Sequence, residues 1–316
     1  MMYNVKDILN KLTPKKNVLI IGAAIVDIII DLEQLPKTGE DVTAKSTKQS
    51  VGGCAYNVAD VLSKLNLPFD LMIPLGNGAY SEIIYKAFKE QQYPIFRVKE
   101  NIDNGYCLSL VENNGERTFI TMPGLELAMK KEWFNHLDMK KYEYIYVSGY
   151  ELEGENGKVL VDVLQNKQNT AKIVFDPGPR LSFIDRDVLE KILKMSCLLT
   201  INDKEAINLA KMYADINTVE EAGKYLFTMT NKPVVITNGK KGALIATDKI
   251  TIVDGFSVKV KDTIGAGDSH TGSLLAGLSC DIDLEMATYL ANKIASVVVS
   301  REGAATAPNL NELLNE

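Results

Sequence analysis

Residues Lys259–Gly277 read KVKDTIGAGDSHTGSLLAG, and the rest of the chain arranges itself around them. Just ahead, Phe256, Val258 and Val260 alternate with polar residues, the period of a strand, while Ser273-Leu274-Leu275-Ala276 and the residues beyond have helical composition. A glycine-hinged turn joins the two. Gly265 and Gly267 carry no side chain to keep a ligand off the backbone, and the helix behind them opens on unpaired N–H groups. Those donors, with the positive end of the helix dipole, form a seat for an anion. Asp268 stands in the first turn of that helix, where capping is the simplest role for an acid. A carboxylate beside such a seat repels its ligand unless it has a proton to accept, so the pattern points to phosphoryl transfer onto a hydroxyl. A dinucleotide fold is the rival, but its fingerprint needs a third glycine where this chain has His270.

The totals set the frame. A chain of 316 residues with 46% hydrophobic and 24% charged residues is an ordinary globular protein with ample material for a core. The net charge of -6, with no basic run, argues against nucleic acid or an anionic membrane as the main partner. Cys54, Cys107, Cys197 and Cys280 form no CxxC pair, and only His136 and His270 are available to join them, so a zinc centre is not expected and free thiols are. The opening MMYNVKDILNKLTPKKN lacks an unbroken apolar stretch, and the run Val18–Ile30 is interrupted by Asp27. Neither a signal peptide nor a membrane span is expected, and the protein reads as cytoplasmic.

Val18–Ile21 is a continuous apolar run closed by Gly22, the mark of a strand buried on both faces. Asp27 then lies inside a second apolar stretch, Ile25–Ile30, where a bare carboxylate needs a partner. Gly52 and Gly53 suit a close backbone approach, and a helix follows from about Tyr56 with Val58, Val61, Leu62 and Leu65 on its apolar side. From Asn104 to Met122, alternation about Asn114-Gly115 predicts a hairpin. With the polar, strand-tolerant Val42–Ser50 segment it makes a small sheet inserted into the main fold. Arg117 and Glu116 are either contact residues of that sheet or, the simpler reading, part of its solvated edge. Farther on, Tyr144–Ser148, Lys172–Phe175, Cys197–Ile201 and Pro233–Thr237 read as buried strands separated by helices such as Lys158–Gln165 and Thr218–Thr228. That rhythm predicts a doubly wound, mainly parallel α/β sheet with helices on both faces, in one domain over residues 1–316.

DTIGAGDSHTG resembles the C-terminal signature of the ribokinase-like (PfkB) family of carbohydrate and nucleoside kinases. The resemblance implies an anion hole at Gly265, Ala266 and Gly267, with Asp268 as the base. Further motifs resemble the same family in the same order. Asp27 in a G-x-x-x-x-D pattern is then expected to grip sugar hydroxyls, Gly52 and Gly53 to flex as a lid hinge, and Asn57 of GG-x-x-x-N to bond the sugar. The inserted sheet, from segments near 32–51 and 104–122, becomes a lid that pairs with a second subunit's lid in a homodimer. Asn202 and Glu205 match N-x-x-E, implying contacts to nucleotide phosphates and to hydrated Mg²⁺. Thr237, Gly239 and Gly242 match a turn along the ATP phosphates, and Asn292 corresponds to a residue of the adenine pocket. Asp262, Ile264 and the loop 300–307 correspond to a monovalent-cation site built from carbonyls, which makes K⁺ a candidate.

One departure stands out: Asp176-Pro177-Gly178-Pro179-Arg180 has glycine where some members carry asparagine. His270 is expected to pack within its helix, and Glu151 and Glu153, just past the Tyr144 strand, are candidates to point at the sugar. More narrowly, GGCAYN, NGYCL, GERTF, SGY and DTIGAGDSH are similar to an uncharacterised bacterial sugar-kinase branch. The implied activity is ATP-dependent phosphorylation of a sugar or nucleoside hydroxyl, with a phosphosugar kinase or a non-catalytic sensor as alternatives. A phosphosugar kinase needs a cationic pocket for its second phosphate, and no arginine pair in the first half supplies one.

Overall fold

The computed structural model describes residues 3–315, so the outermost ends of the expected 1–316 domain lie outside the described residues. Its main sheet has eight strands in the order Ile250–Val253, Ala243–Ala246, Val234–Thr237, Cys197–Asn202, Lys172–Asp176, Tyr144–Ser148, Val18–Ile21 and Asp70–Met72. Every pairing from Val234–Thr237 to Asp70–Met72 is parallel. The two strands at the other edge join antiparallel.

Continuous apolar runs are needed because both faces are covered. Ile20, Tyr146, Val174 and Val235 pack in one core against the helices Cys54–Lys64, Ala266–Ser279 and Leu284–Val298. Their neighbours Ile21, Val147, Ile173 and Ile236 point the opposite way, against Gly154–Leu164, Arg186–Lys194, Asp203–Lys211 and Val219–Thr230. Adjacent residues of one strand therefore serve two different cores.

A second sheet runs Ser46–Gly52, Ile25–Asp31, Tyr106–Val111 and Arg117–Met122. The last two form the expected hairpin, with Gly115 at φ +87° in the turn. The sequence expectation began this sheet near residue 32, and that boundary is corrected: Ile25–Asp31 is one of its two inner strands and carries Asp27, while residues 32–45 contain no strand. Ser46–Gly52 likewise begins later than the Val42–Ser50 estimate.

The strand expected over Phe256–Val260 is also corrected. Those residues form no strand, because the sheet already ends at Ile250–Val253 and offers them no neighbour. Val260 is 57% exposed, and Phe256 instead packs against Tyr289 with the rings tilted and their centres 5.0 Å apart. Among the described residues, no helix is long and apolar enough to cross a membrane.

Candidate active site

The C-terminal ends of the parallel strands open onto a cavity of about 190 Å³, where α/β sheets place their ligands. Asp268, Asp176, Glu205, Thr237, Gly265 and Gly267 line it. Gly265 is the N-cap of the Ala266–Ser279 helix and sits at φ +73°, with Ala304 backbone atoms where a Cβ would be. Glycine is required there on both counts. Ser269 N–H bonds Gly265 C=O at 2.8 Å, and Ala266 N–H turns back to Thr263 C=O at 3.3 Å. Gly267 and Asp268 are thus the first-turn residues whose N–H donors lie outside both bonds. This narrows the expected Gly265, Ala266, Gly267 hole, because the Ala266 donor is already turned inward.

Asp268 is half-buried, and its carboxylate accepts a 2.7 Å hydrogen bond from Asn57 Nδ2 and another from the Cys54 thiol. Burial raises its pKa, and these two donors oppose the rise. Both donors come from the Cys54–Lys64 helix, three residues apart and so on one face. Gly53 caps that helix at φ +104°, and its missing Cβ lets it lie against the Ala23 carbonyl. Beside it, a Cβ on Gly52 would meet Asp27 Oδ2 at 2.1 Å, so the Asp27 carboxylate rests on bare backbone. Burial and the charge of Asp268 together push Asp27 up to about 6. The two acids are therefore near enough to influence one another, although Asp27 is not part of the wall of the 190 Å³ cavity that Asp268 lines. Asn57 Oδ1 is buried without a partner, an acceptor awaiting a donor.

Asn202 and Glu205 cap the Asp203–Lys211 helix reciprocally: Asn202 Oδ1 accepts from Glu205 N–H at 2.9 Å, and Glu205 Oε2 accepts from Asn202 N–H at 3.2 Å. Both also line the cavity, so the N-x-x-E pattern serves the helix start as well as the site. Asp176 accepts from Gly178 N–H at 3.0 Å and from Thr271 Oγ1 at 3.2 Å. Burial, then Asp268 and Glu205, push it up to about 8. Three carboxylates thus share a cavity whose lining contains no lysine or arginine. Hard oxygen donors of this kind suit a Mg²⁺ held through its waters, and among the described residues no three acidic, histidine or cysteine side chains come together to ligate an ion directly.

Other expectations need correction. Thr237 lines the cavity, but Gly239 is exposed at φ +52° and Gly242 packs on Val253 and Gly255 backbone, so Gly242 serves its own turn. Asn292 is buried; its amide donates to the Val253 and Asp254 carbonyls at 3.0 and 3.1 Å, and its oxygen faces His270 Nε2 at 3.0 Å. Both polar atoms of Asn292 are thus engaged within the protein. Because that oxygen can only accept, His270 carries its proton on Nε2, and burial lowers its pKa to about 4. His270 is a packed helix residue, as expected.

Asp262 is only 7% exposed, and its side chain is fully engaged. Oδ1 accepts from Ile264 N–H at 3.0 Å; Oδ2 accepts from Gly303 N–H at 3.1 Å and from Arg117 at 3.0 Å. Both carboxylate oxygens are engaged, whereas the expected K⁺ site uses the backbone carbonyls of Asp262 and Ile264, which take no part in these bonds. Arg117 is accordingly not a solvated edge residue.

Glu151 closes onto Ser148 in a buried capping box, and Glu153 holds Arg180 at 2.8 Å. Arg180 therefore braces its own loop. Gly178 sits at φ +55°, a backbone region that glycine and asparagine share, which accounts for the glycine in D-P-G-P-R. Cys54 and Asp176 were not selected as site residues from sequence. The first was signalled by its three-residue spacing from Asn57, the second by its place at a strand's C-terminal end.

Comparison with known proteins agrees with this fold. An uncharacterised sugar kinase of Escherichia coli (strain K12), YegV, is 35% identical over 97% of this chain and 96% of its own length. The crystal structure of a Thermotoga maritima ribokinase superposes with a TM-score of 0.84 at 23% identity, covering 95% of this chain and 98% of that one. An Arabidopsis thaliana ribokinase solved with ribose and ATP gives 0.79 at 20% identity, over 96% of this chain and 98% of that one. The pfkB family of carbohydrate kinases matches residues 15–311. With that match across nearly the whole chain, the protein belongs to the pfkB carbohydrate kinase family, the ribokinase-like phosphotransferases that use an alcohol group as acceptor.

Proposed function

We propose that this kinase transfers the γ-phosphoryl group of ATP to a hydroxyl, expected to be primary, of a sugar or nucleoside, with Asp268 as general base. The observation that carries this reading is the half-buried Asp268 carboxylate, held by Asn57 at the glycine-capped start of a helix. The substrate is placed between Asp27, the Gly52-Gly53 backbone and Asn57. Asn57 Oδ1 and the Asp27 carboxylate accept from its hydroxyls, which explains a buried acceptor without a protein partner. The reacting oxygen attacks the γ-phosphorus as the bond to the bridging oxygen breaks, and its proton passes to Asp268. Charge on the transferring group is held by the helix dipole and by the N–H donors around Gly265, Gly267 and Asp268. Mg²⁺ bound with ATP supplies further neutralisation, and Glu205 with Asn202 would hold it through water.

Residues 3–315 act in this reading as one kinase unit, with the small sheet as a lid that excludes water. By register, Ile28, Ile30, Leu108, Leu110, Ile120 and Met122 share the lid face opposite Asp27. Ile120 and Met122 are 44% and 42% exposed, which supports a homodimer through that face.

The test is ATP consumption over a panel of ribose, a hexose, a nucleoside and pseudouridine, with Mg²⁺ and without added K⁺. Phosphorylation of one acceptor class is expected. ATP binding without turnover on any member would favour a sensor instead.

A further inference from the structure

The small sheet touches the phosphate seat through an ion pair that the reaction scheme above does not use. By register, Arg117, Val111, Asp31 and Ser46 lie in one row across that sheet, on the same face as Asp27. From there Arg117 bonds the buried Asp262 carboxylate at 3.0 Å, across 145 positions of sequence. Arg117's own side chain is only 23% exposed. On the same face, Lys48 pairs with Glu302 at 3.1 Å. Both contacts end on the same two loops. Asp262 ties the loop entering the seat, through Ile264 N–H, to the loop around Gly303. The second loop in turn places the Ala304 backbone against Gly265. An unbroken run of contacts thus leads from a sheet side chain to the N-cap of the helix that bears Asp268.

We propose that Arg117 is a positioning residue: docked from the lid onto Asp262, it sets the loops that shape the phosphate seat, so that closure over the acceptor and assembly of the seat are one event. This rests on the kinase reading and adds to it a role for a residue that touches neither substrate. The arginine charge is what the device needs. Without it, a buried carboxylate loses its only cationic partner while still holding two loop N–H groups, and the loops relax. Misplacement of a reacting centre by about 1 Å costs about 10²-fold in rate.

The experiment compares the wild type with Arg117→Gln and Arg117→Lys on the best acceptor from the panel, following kcat, acceptor KM and thermal melting, with and without millimolar guanidinium. The kinase reading is tested by the wild type alone, since it fails if that protein turns over no acceptor. Given an active wild type, Arg117→Gln is expected to lose about 10- to 100-fold in kcat with acceptor KM moved less than about threefold. Arg117→Lys should recover part of the loss, and guanidinium should recover part in the Gln variant. Unchanged kcat in Arg117→Gln overturns the proposal. So does a loss confined to KM, or a variant whose only defect is a collapsed melting temperature, which would mark a structural clamp.

Discussion

Asn57 Nδ2 lies 2.7 Å from Asp268 Oδ2 and joins two helices that are 211 positions apart in sequence. One helix begins at the diglycine beside Asp27, the other at Gly265, so this bond ties together the two helix starts between which the proposed reaction takes place. It is also an electrostatic adjustment, because a donor to the charged carboxylate offsets the rise that burial imposes.

Asn57→Ala removes that donor along with a free acceptor. Acceptor KM is expected to rise about tenfold, the value of one hydrogen bond to a charged or buried group. The acid limb of the kcat/KM profile should move to higher pH, since Asp268 must lose its proton to act and loses a partner that favours the ionised form. A pH profile of the variant checks both, and an unmoved acid limb would separate Asn57 from the base.

Gly52→Ala puts a methyl group where Asp27 Oδ2 now lies, 2.1 Å from the Cβ position. The carboxylate must swing away, and the expected result is a rise of about 10- to 100-fold in acceptor KM with nucleotide affinity unchanged. Steady-state kinetics in each substrate measure this. A shared loss for ATP and acceptor would mean that Asp27 is not a dedicated acceptor contact.

Asp176 offers a stability test with a definite sign. Its pKa is raised from 3.8 to about 8 on folding, so between those values the folded chain keeps a proton that the unfolded chain has released. Stability from this group therefore falls as pH rises through that window. Ligand-free Asp176→Asn is expected to melt at least about 2 °C above the wild type at pH 8, with the gap closing toward pH 4. Melting curves across that range check it, and parallel curves for the two proteins would contradict the buried-charge account.

Much of the α/β frame is legible in the chain because a strand covered on both faces must be apolar throughout. Tyr144–Ser148 is buried at every position, and a helix opens at Gly265 with Asp268 in its first turn, as the glycines and acid imply. The inner lid strand was harder to place. Ile29 breaks the alternation of Ile28 and Ile30 with Asp27 and Asp31, so Ile25–Asp31 looks like a continuation of the central strand before it. Phe256, Val258 and Val260 show the opposite failure: a strand period with no neighbouring strand to pair. The contacts of Asn292 and Arg117 are not legible locally because their partners are distant in sequence. A solvated face and a buried hydrogen-bonded one carry the same local pattern until the fold brings Val253 or Asp262 alongside.

The most direct measurement of the central claim is Asp268→Asn, a change that preserves shape and removes the base. With ATP and the best acceptor, kcat is expected to fall about 10²- to 10⁴-fold, while ATP binding, followed by titration calorimetry, stays at the wild-type value. Turnover close to that of the wild type would contradict the assignment of Asp268 as the group that takes the acceptor's proton.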